Sequence, residues 1–384
     1  MKLKSIFSNK STDEINQEEV AEEKIYTASQ WQLMWRKFKK HKLAMGSAVV
    51  IIALYLIAIF APFLSPYNPQ EFSSSHNYVP PTPVNFVDEE GDFSFRPFVY
   101  GVKREIDPDS WQRVYTEDKS QKYPINFFVR GFEYDFLGVF ETDLHLFGTE
   151  GDGRVFLLGT DKLGRDLFSK ILYGARISMS IGLIGIVISF ALGLFFGGIS
   201  GYYGGVVDTI IQRVIELIKS FPRIPLWMAL SASFPPEWSP ITVYFMIIVI
   251  LSLIGWTGLA RVVRGKFLSL REEDYTTAAR LSGASEFYII TRHFIPSFMS
   301  YIIASVSLKV PAMILGETSL SFLGIGLRPP IISWGVLLQE AQNVNSIAMH
   351  PWLFTPAIMI VITVLAFNFL GDGLRDAADP YGNN

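Results

Sequence analysis

The chain has 384 residues and not one cysteine. That excludes a disulfide framework, a Cys-ligated zinc site and a thiol nucleophile. Charge is scarce as well. Asp, Glu, Lys and Arg make up 18% of the residues, where a soluble domain carries about 25%. The two signs nearly cancel, at 33 Lys and Arg against 36 Asp and Glu, and no basic face offers itself to nucleic acid. Histidines are few. His41, His76, His145, His293 and His350 show no H-E-x-x-H spacing, so no metal site is expected. No nucleotide-binding loop is found either. Gly265-Lys266 is followed by Phe267 and preceded by no Gly-rich run, whereas a phosphate loop needs Ser or Thr after its Lys. No cofactor and no catalytic residue are expected, and the chain is not read as an enzyme. If it uses ATP, another chain binds it. A cleavable signal peptide is missing too: Met1–Tyr26 is polar and charge-mixed, and reads as a disordered cytoplasmic leader.

What the chain has is apolar surface. Hydrophobic residues make up 49% of it, with 31 Phe and 8 Trp, as befits a protein for which lipid is part of the solvent. A spanning helix needs roughly 20 apolar residues. Six stretches are candidates. The first is Ala44–Leu64, ended by Pro66. The second is the charge-free interval between Arg176 and Asp208, whose Gly182, Gly185, Gly193, Gly197 and Gly198 suit close helix packing. The third, about Ile215–Phe234, carries Glu216, Lys219 and Arg223 in its first half. The fourth is Ile241–Ala260. The fifth, about Ser297–Leu320, contains Lys309 and Glu317. The sixth is about Trp352–Leu370.

Lys and Arg in short loops set orientation. Arg36, Lys37, Lys39, Lys40 and Lys42 precede the first span, and Arg261, Arg264, Lys266, Arg271, Arg280 and Arg292 stand between the fourth and fifth. The loop SFPPEWSP after the third has none, and the loop after the fifth has only Arg328. Six spans with both termini in the cytoplasm put every basic loop inside. The expected organisation is a leader over 1–43, a first span over 44–64, an insertion over 65–158 outside the cell, a five-helix core over 159–372 and a tail over 373–384. The insertion contains Pro80, Pro81 and Pro83, then the aromatic runs FSFRPFVYGV and INFFVRGFEYDFLGVF. Alternating aromatics bounded by Gly, Pro and Asp predict short strands. Such a segment is marginal alone and is expected to pack on the membrane domain or a partner.

One cytoplasmic stretch, 266–296, is too polar to span and too patterned for a linker. Tyr275, Ala278, Ala279, Leu281 and Ala284 favour a short helix, Gly283 interrupts it, and Phe287, Ile289, Ile290 and Phe294 rebuild an apolar stripe that stops at Pro296. The pattern predicts helix, tight turn, helix, with the first helix projecting from the membrane. Small side chains and a permissive glycine let another protein's cleft approach closely.

Ala278-Ala279, three residues to Gly283, then Ile295-Pro296, resembles the "EAA" loop of permease subunits of binding-protein-dependent ABC importers. Thr277 stands where Glu is usual and His293 where Ile is usual, and both departures resemble the peptide branch of the family. GTDKLGRDLFSKILYGARISMSIGL from Gly159, LGETSLSFLGIGLRPPIISWGVLLQEAQ from Leu315, and WRKFKKHKLAMGS near the amino terminus are similar to segments of oligopeptide, dipeptide and nickel permeases. The resemblance covers about 31–64 and 159–379 and leaves the insertion less well explained. It implies an all-α membrane protein of the type I importer permease fold, with six spans and a small β-containing extracellular insertion, in the cytoplasmic membrane of a bacterium. It implies a peptide substrate, with nickel or another small solute as the alternative. The implied partners are a second homologous permease, two ATP-binding subunits and an extracellular or periplasmic solute-binding protein. Thr277, Ala278, Ala279, Gly283, Ala284, Ser285 and Pro296 would form the surface that couples to the ATPase. Lys309 and Glu317, ionisable groups at membrane depth, are candidate lining of the translocation path or else structural, paired with each other or with charges near Glu216 and Lys219. Asp161 and Asp166, with Arg165, read as caps and anchors of an interfacial helix. A membrane sensor with an outer ligand-binding domain is the different-class alternative, and the short tail after Leu370 speaks against it.

Overall fold

The computed structural model describes residues 30–378, apart from 89, 107, 109–112, 152 and 344–347. The leader over Met1–Tyr26 lies outside the described residues. The chain is mostly helical, with one small antiparallel sheet. In order, the elements are α1 (Gln30–Lys40), α2 (Lys42–Ile59), α3 (Ala61–Leu64), β1 (Asn85–Val87), β2 (Phe93–Ile106), β3 (Arg113–Phe136) and β4 (Phe140–Thr149). Next come α4 (Leu167–Tyr203), α5 (Gly205–Ser220), α6 (Arg223–Ala232), α7 (Pro240–Arg271) and α8 (Asp274–Leu281). The chain ends with α9 (Glu286–Ile289), a π turn (Ile290–Phe294), α10 (Ile295–Ser307), α11 (Val310–Phe322), α12 (Trp334–Glu340) and α13 (Thr355–Ala378).

Five helical stretches are long and apolar enough to cross a membrane: Lys42–Ile59, Leu167–Tyr203, Pro240–Arg271, Glu286–Phe322 and Pro351–Ala378. They match five of the six expected spans. The third expected span, Ile215–Phe234, is divided. Pro222 lacks an N–H and stands between α5 and α6, so neither piece reaches spanning length alone. The second and fourth spans are longer than their charge-free intervals. Helix α4 begins at Leu167 and takes in Lys170 and Arg176; α7 runs past Ala260 to Arg271. Pro296 does not end the stripe before it. The helix passes through it, and the missing hydrogen bond is absorbed by the π turn Ile290–Phe294 just upstream. Pro311 does interrupt the same rod. Helix α10 closes at Ser307, Lys309 N–H donates to Val306 O, and α11 restarts at Val310.

Small residues bring these rods together. A Cβ on Gly193 would lie 2.8 Å from Leu259, and one on Gly197 would lie 2.5 Å from Ala260 O. Helices α4 and α7 therefore pack nearly backbone to backbone, as membrane helices do at small residues. One core joins Ile51, Leu54, Ile171, Met179, Ile314, Trp334 and Phe367 from α2, α4, α11, α12 and α13.

The insertion forms a four-stranded sheet in the order β1-β2-β3-β4. Its strands are not short: β2 has 14 residues and β3 has 24. Strand β3 pairs with β2 up to Pro124 and with β4 from Ile125 onward. Its first part, Arg113–Lys122, is polar on both faces, so the aromatic periodicity did not mark it. A small core of Val99, Ile125 and Val155, flanked by Tyr67 and Phe147, lies within the insertion, and Phe147 packs against Phe168 of α4 at 5.9 Å between ring centroids. Val155 N–H donates to Tyr67 Oη at 2.8 Å.

Candidate coupling surface and translocation path

The projecting loop lies where α4, α7 and α10 end together. Tyr202, Val263, Phe267, Ile289, Phe294 and Phe298 form its floor. Helix α7 closes at Arg271. Thr276, fully buried, donates through Oγ1 to Leu270 O at 2.8 Å and fixes how α8 leaves it. Arg280 lies over the Tyr202 ring, and Tyr203 Oη donates to Glu286 Oε2 at 3.0 Å. The turn after α8 satisfies its own backbone: Ser282 N–H donates to Ala278 O, Gly283 N–H to Arg280 O and Ala284 N–H to Ala279 O. Gly283 has φ +80, and a Cβ there would meet nothing within 4 Å. Its need for glycine within this chain is therefore conformational, not steric. Ser285 caps α9, with Oγ accepting from Tyr288 N–H.

The seven expected coupling residues divide by face. Ala279 and Ala284 turn inward onto the floor, while Thr277, Ala278, Gly283 and Ser285 face solvent. Pro296 is exposed but belongs to α10, beyond the π turn. The largest apolar side chains here are the least covered. Leu281 is 86% exposed and Phe287 77%, with Tyr275 and Tyr288 exposed beside them. Exposed apolar side chains grouped in this way are a feature of surfaces that a partner covers.

Lys309 and Glu317 have different surroundings, and no ion pair joins them among the described residues. Glu317 is fully buried. Its Oε1 accepts from Ser321 Oγ at 2.8 Å and Ser333 Oγ at 2.6 Å, and Oε2 accepts from Ser178 Oγ at 3.5 Å. The same serines accept from Leu327, Trp334 and Val336 N–H. The carboxyl thus ties the re-entering segment before α12 to α4 and α11. Lys309 instead sits at the helix break, only half-buried, near the Lys219 and Arg223 charges; Lys219 is in turn near Arg261. Among the described residues none of these four cations has a carboxylate partner. The sequence set Lys309 near the charges around Lys219 but did not bring in Arg223 and Arg261, which α6 and α7 supply.

A second buried cluster lies at the insertion end. Asp161 Oδ2 accepts from Arg165 Nε and from Lys170 Nζ, each at 2.6 Å. Glu340 takes Arg165 at 2.7 Å and Lys170 at 3.1 Å. Burial pushes the Asp161 carboxyl up, but Lys170 and Arg165 outweigh it and hold it below the ordinary carboxylate range. Asp166 caps α4, accepting from Ser169 N–H at 2.7 Å, and burial pushes it up to about 6. Asp166 caps a helix as expected, but the helix is the span-length α4 and not an interfacial one; Asp161 and Arg165 anchor its start through a network that Lys170 and Glu340 complete. Nearer the loop, Asp208 receives two bonds from Arg264 at 2.5 Å, which hold its carboxyl below the usual range.

Residues 193–381 match the model of the binding-protein-dependent transport system inner membrane component, and residues 29–81 match the N-terminal TM domain of oligopeptide transport permease C. The dipeptide transport system permease protein DppC of Bacillus subtilis is 33% identical over 90% of this chain and 84% of its own length. The glutathione transport system permease protein GsiD of Pectobacterium atrosepticum is 31% identical over 91% of each chain. The oligopeptide transport system permease protein OppC of Haemophilus influenzae is 40% identical over 58% of this chain and 69% of its own. The chain belongs to the family of membrane permease subunits of binding-protein-dependent transport systems. It is thus a multi-pass membrane transport subunit.

Proposed function

We propose that the chain is one of two permease subunits of an ATP-driven importer of short peptides. The observation that carries this reading is the projecting loop, whose turn is internally satisfied while Leu281 and Phe287 stay in solvent. Thr277, Ala278, Gly283 and Ser285 form the rim of the contact with an ATP-binding subunit, and Ala279, Ala284 and Pro296 set its geometry. Two such subunits hydrolyse ATP below two permeases, a solute-binding protein docks outside, and both termini of this chain lie in the cytoplasm. The insertion over 65–158 faces outward and meets the solute-binding protein.

The three relatives above are named for dipeptide, glutathione and oligopeptide transport, which supports a peptide. Electrostatics supports it too. Lys309, with Lys219 and Arg223 nearby and no carboxylate partner among the described residues, presents positive charge that favours a peptide carboxylate and repels a divalent metal ion. Glu317, consumed by its serines, is structural. The test is uptake into liposomes containing the assembled complex, with a labelled dipeptide and nickel offered separately. Peptide accumulation that requires ATP and is weakened in Lys309→Glu supports the reading. Nickel accumulation without peptide uptake overturns the substrate, and hydrolysis of ATP by this chain alone overturns the division of labour.

A further inference from the structure

The β3–β4 hairpin ends in an apolar tip that folding alone would not select. Val139 N–H donates to Phe136 O at 3.0 Å, and the two central residues, Leu137 and Gly138, have φ of 55 and 71. This is a type I′ turn, which favours Asn-Gly because both central residues need positive φ. Glycine is where it should be. Leucine is not: a bulky side chain is rare and strained at positive φ. Nor does burial compensate, since Leu137 is 55% exposed, Val139 79% and Phe140 55%. A residue held in a costly conformation, with its apolar side chain in the open, points to an external contact.

The tip's location says which contact. Phe136 packs against Phe60 at 5.5 Å between ring centroids and against Phe140 at 5.5 Å; Phe128, further back on β3, packs against Phe63 at 6.3 Å. Phe60 directly follows the span Lys42–Ile59, and Leu56, Ile59 and Phe60 are themselves exposed. The hairpin is clamped there. His145, fully buried on β4, has Nδ1 3.0 Å from Pro62 O and Nε2 3.0 Å from Phe132 O. Phe132, Tyr134, Phe136 and Phe140 surround the tip with aromatic rings, the residue class that membrane interfaces favour. The apolar face of the first span therefore continues without a gap onto the hairpin tip.

We propose that the β3–β4 tip, Leu137 to Phe140, inserts into the outer leaflet of the lipid bilayer. It moors the insertion sheet beside the first span and leaves the far end of β3 free. The absence of cysteine from this chain makes the test direct. Val139→Cys carries a nitroxide, and Val114→Cys, at the opposite end of β3, carries the same label as the aqueous reference. The full chain is reconstituted with its partners in vesicles of phosphatidylethanolamine and phosphatidylglycerol. Collision with dissolved oxygen is compared with collision with a water-soluble nickel chelate. The expected oxygen-to-nickel ratio is at least fivefold higher at Val139 than at Val114. Adding Leu137→Asn, which suits the turn and so keeps the hairpin folded, should bring the Val139 ratio down toward the reference. Equal ratios at the two sites would overturn the proposal, and so would a Val139 label shielded from both reagents, because the tip would then be covered by protein.

Discussion

The two ends of this permease use charge in opposite ways. At the insertion end, Asp161, Arg165, Lys170 and Glu340 are withdrawn from water and satisfy one another, and Glu317 a short distance below is caged by three serines. At the loop end, apart from the Asp208–Arg264 pair, the charges of the loop itself are exposed, and so are its apolar side chains, Leu281 and Phe287 above all. The first arrangement is complete within one chain and fixes a shape. The second leaves apolar side chains uncovered within this chain, as the proposed contact with an ATP-binding subunit requires. Substitutions at the insertion end should therefore register as stability and substitutions in the loop as coupling.

The largest effects should follow from breaking one member of the buried groups. Glu317→Ala leaves the hydroxyls of Ser178, Ser321 and Ser333 without their acceptor and opens a cavity between α11 and α12. Lys170→Ala leaves Asp161 and Glu340 buried beside a single cation. Each should cost roughly 3–5 kcal/mol, read as a large fall in the thermal midpoint of the detergent-purified chain. Glu317→Gln keeps the size and one acceptor oxygen, and should lose clearly less. A Glu317→Ala chain of normal stability that failed only in transport would reverse the comparison and return Glu317 to the path.

How much of this was legible follows from how far apart the interacting residues lie. The apolar runs of α2, α4, α7 and α13 announced themselves locally, because about twenty residues without charge have few other uses, and α10–α11 did so despite Lys309 and Glu317. The loop was legible too, since Ala278, Ala279 and Gly283 carry their signal within a few residues, and Gly283 has the positive φ its position suggested. The buried network was only half legible. Asp161 and Arg165 are neighbours in sequence, but Glu340 is 175 residues from Arg165. The charge-free interval begins only after Arg176, so Lys170 fell outside the expected span although α4 takes it in: a lysine there is acceptable only because Asp161 and Glu340 come to meet it. The division at Pro222 and the π turn before Pro296 show that proline marks a disturbed hydrogen-bond ladder without saying how the chain will resolve it. The polar half of β3 escaped notice because a ribbon solvated on both faces carries no alternation to read.

A smaller effect, of opposite sign, is expected at Asp166. Its carboxyl is pushed up to about 6 by burial, and Oδ1 has no partner. A folded-state pKa above the unfolded value near 3.9 means the stabilising contribution is full below about pH 4 and is lost as pH rises through about 6. At neutral pH the buried charge costs up to about 3 kcal/mol. Asp166→Asn keeps an oxygen to accept from Ser169 N–H and removes the charge. Its thermal midpoint should match the parent at pH 4.5 and exceed it at pH 7.5. An equal shift at both pH values would mean that the cap, and not the charge, had changed.

The smallest stability effect, and the clearest separation of the two ends, is expected at Gly283. The residue has φ +80 and no heavy atom within 4 Å of where a Cβ would stand. Within this chain, then, a substitution meets only the conformational cost of positive φ, about 1 kcal/mol for Ala and less for Asn, which tolerates that region. An Arg at 283 has as much room as an Ala as long as the chain is alone. Gly283→Asn, Gly283→Ala and Gly283→Arg should therefore have thermal midpoints within a few degrees of one another as isolated chains. In the assembled complex the series should spread. Asn and Ala place a small group at the rim formed by Thr277, Ala278 and Ser285 and should keep most uptake. Arg places a long side chain and a desolvated charge where the partner must close, and should abolish co-purification with the ATP-binding subunits along with uptake. Two measurements on three variants thus separate strain from contact. If Gly283→Arg lowers the thermal midpoint of the isolated chain as much as Glu317→Ala does, the loop is a structural element like the insertion end. If Gly283→Arg transports normally, the ATP-binding subunit does not close on this turn, and the exposed Leu281 and Phe287 need another partner.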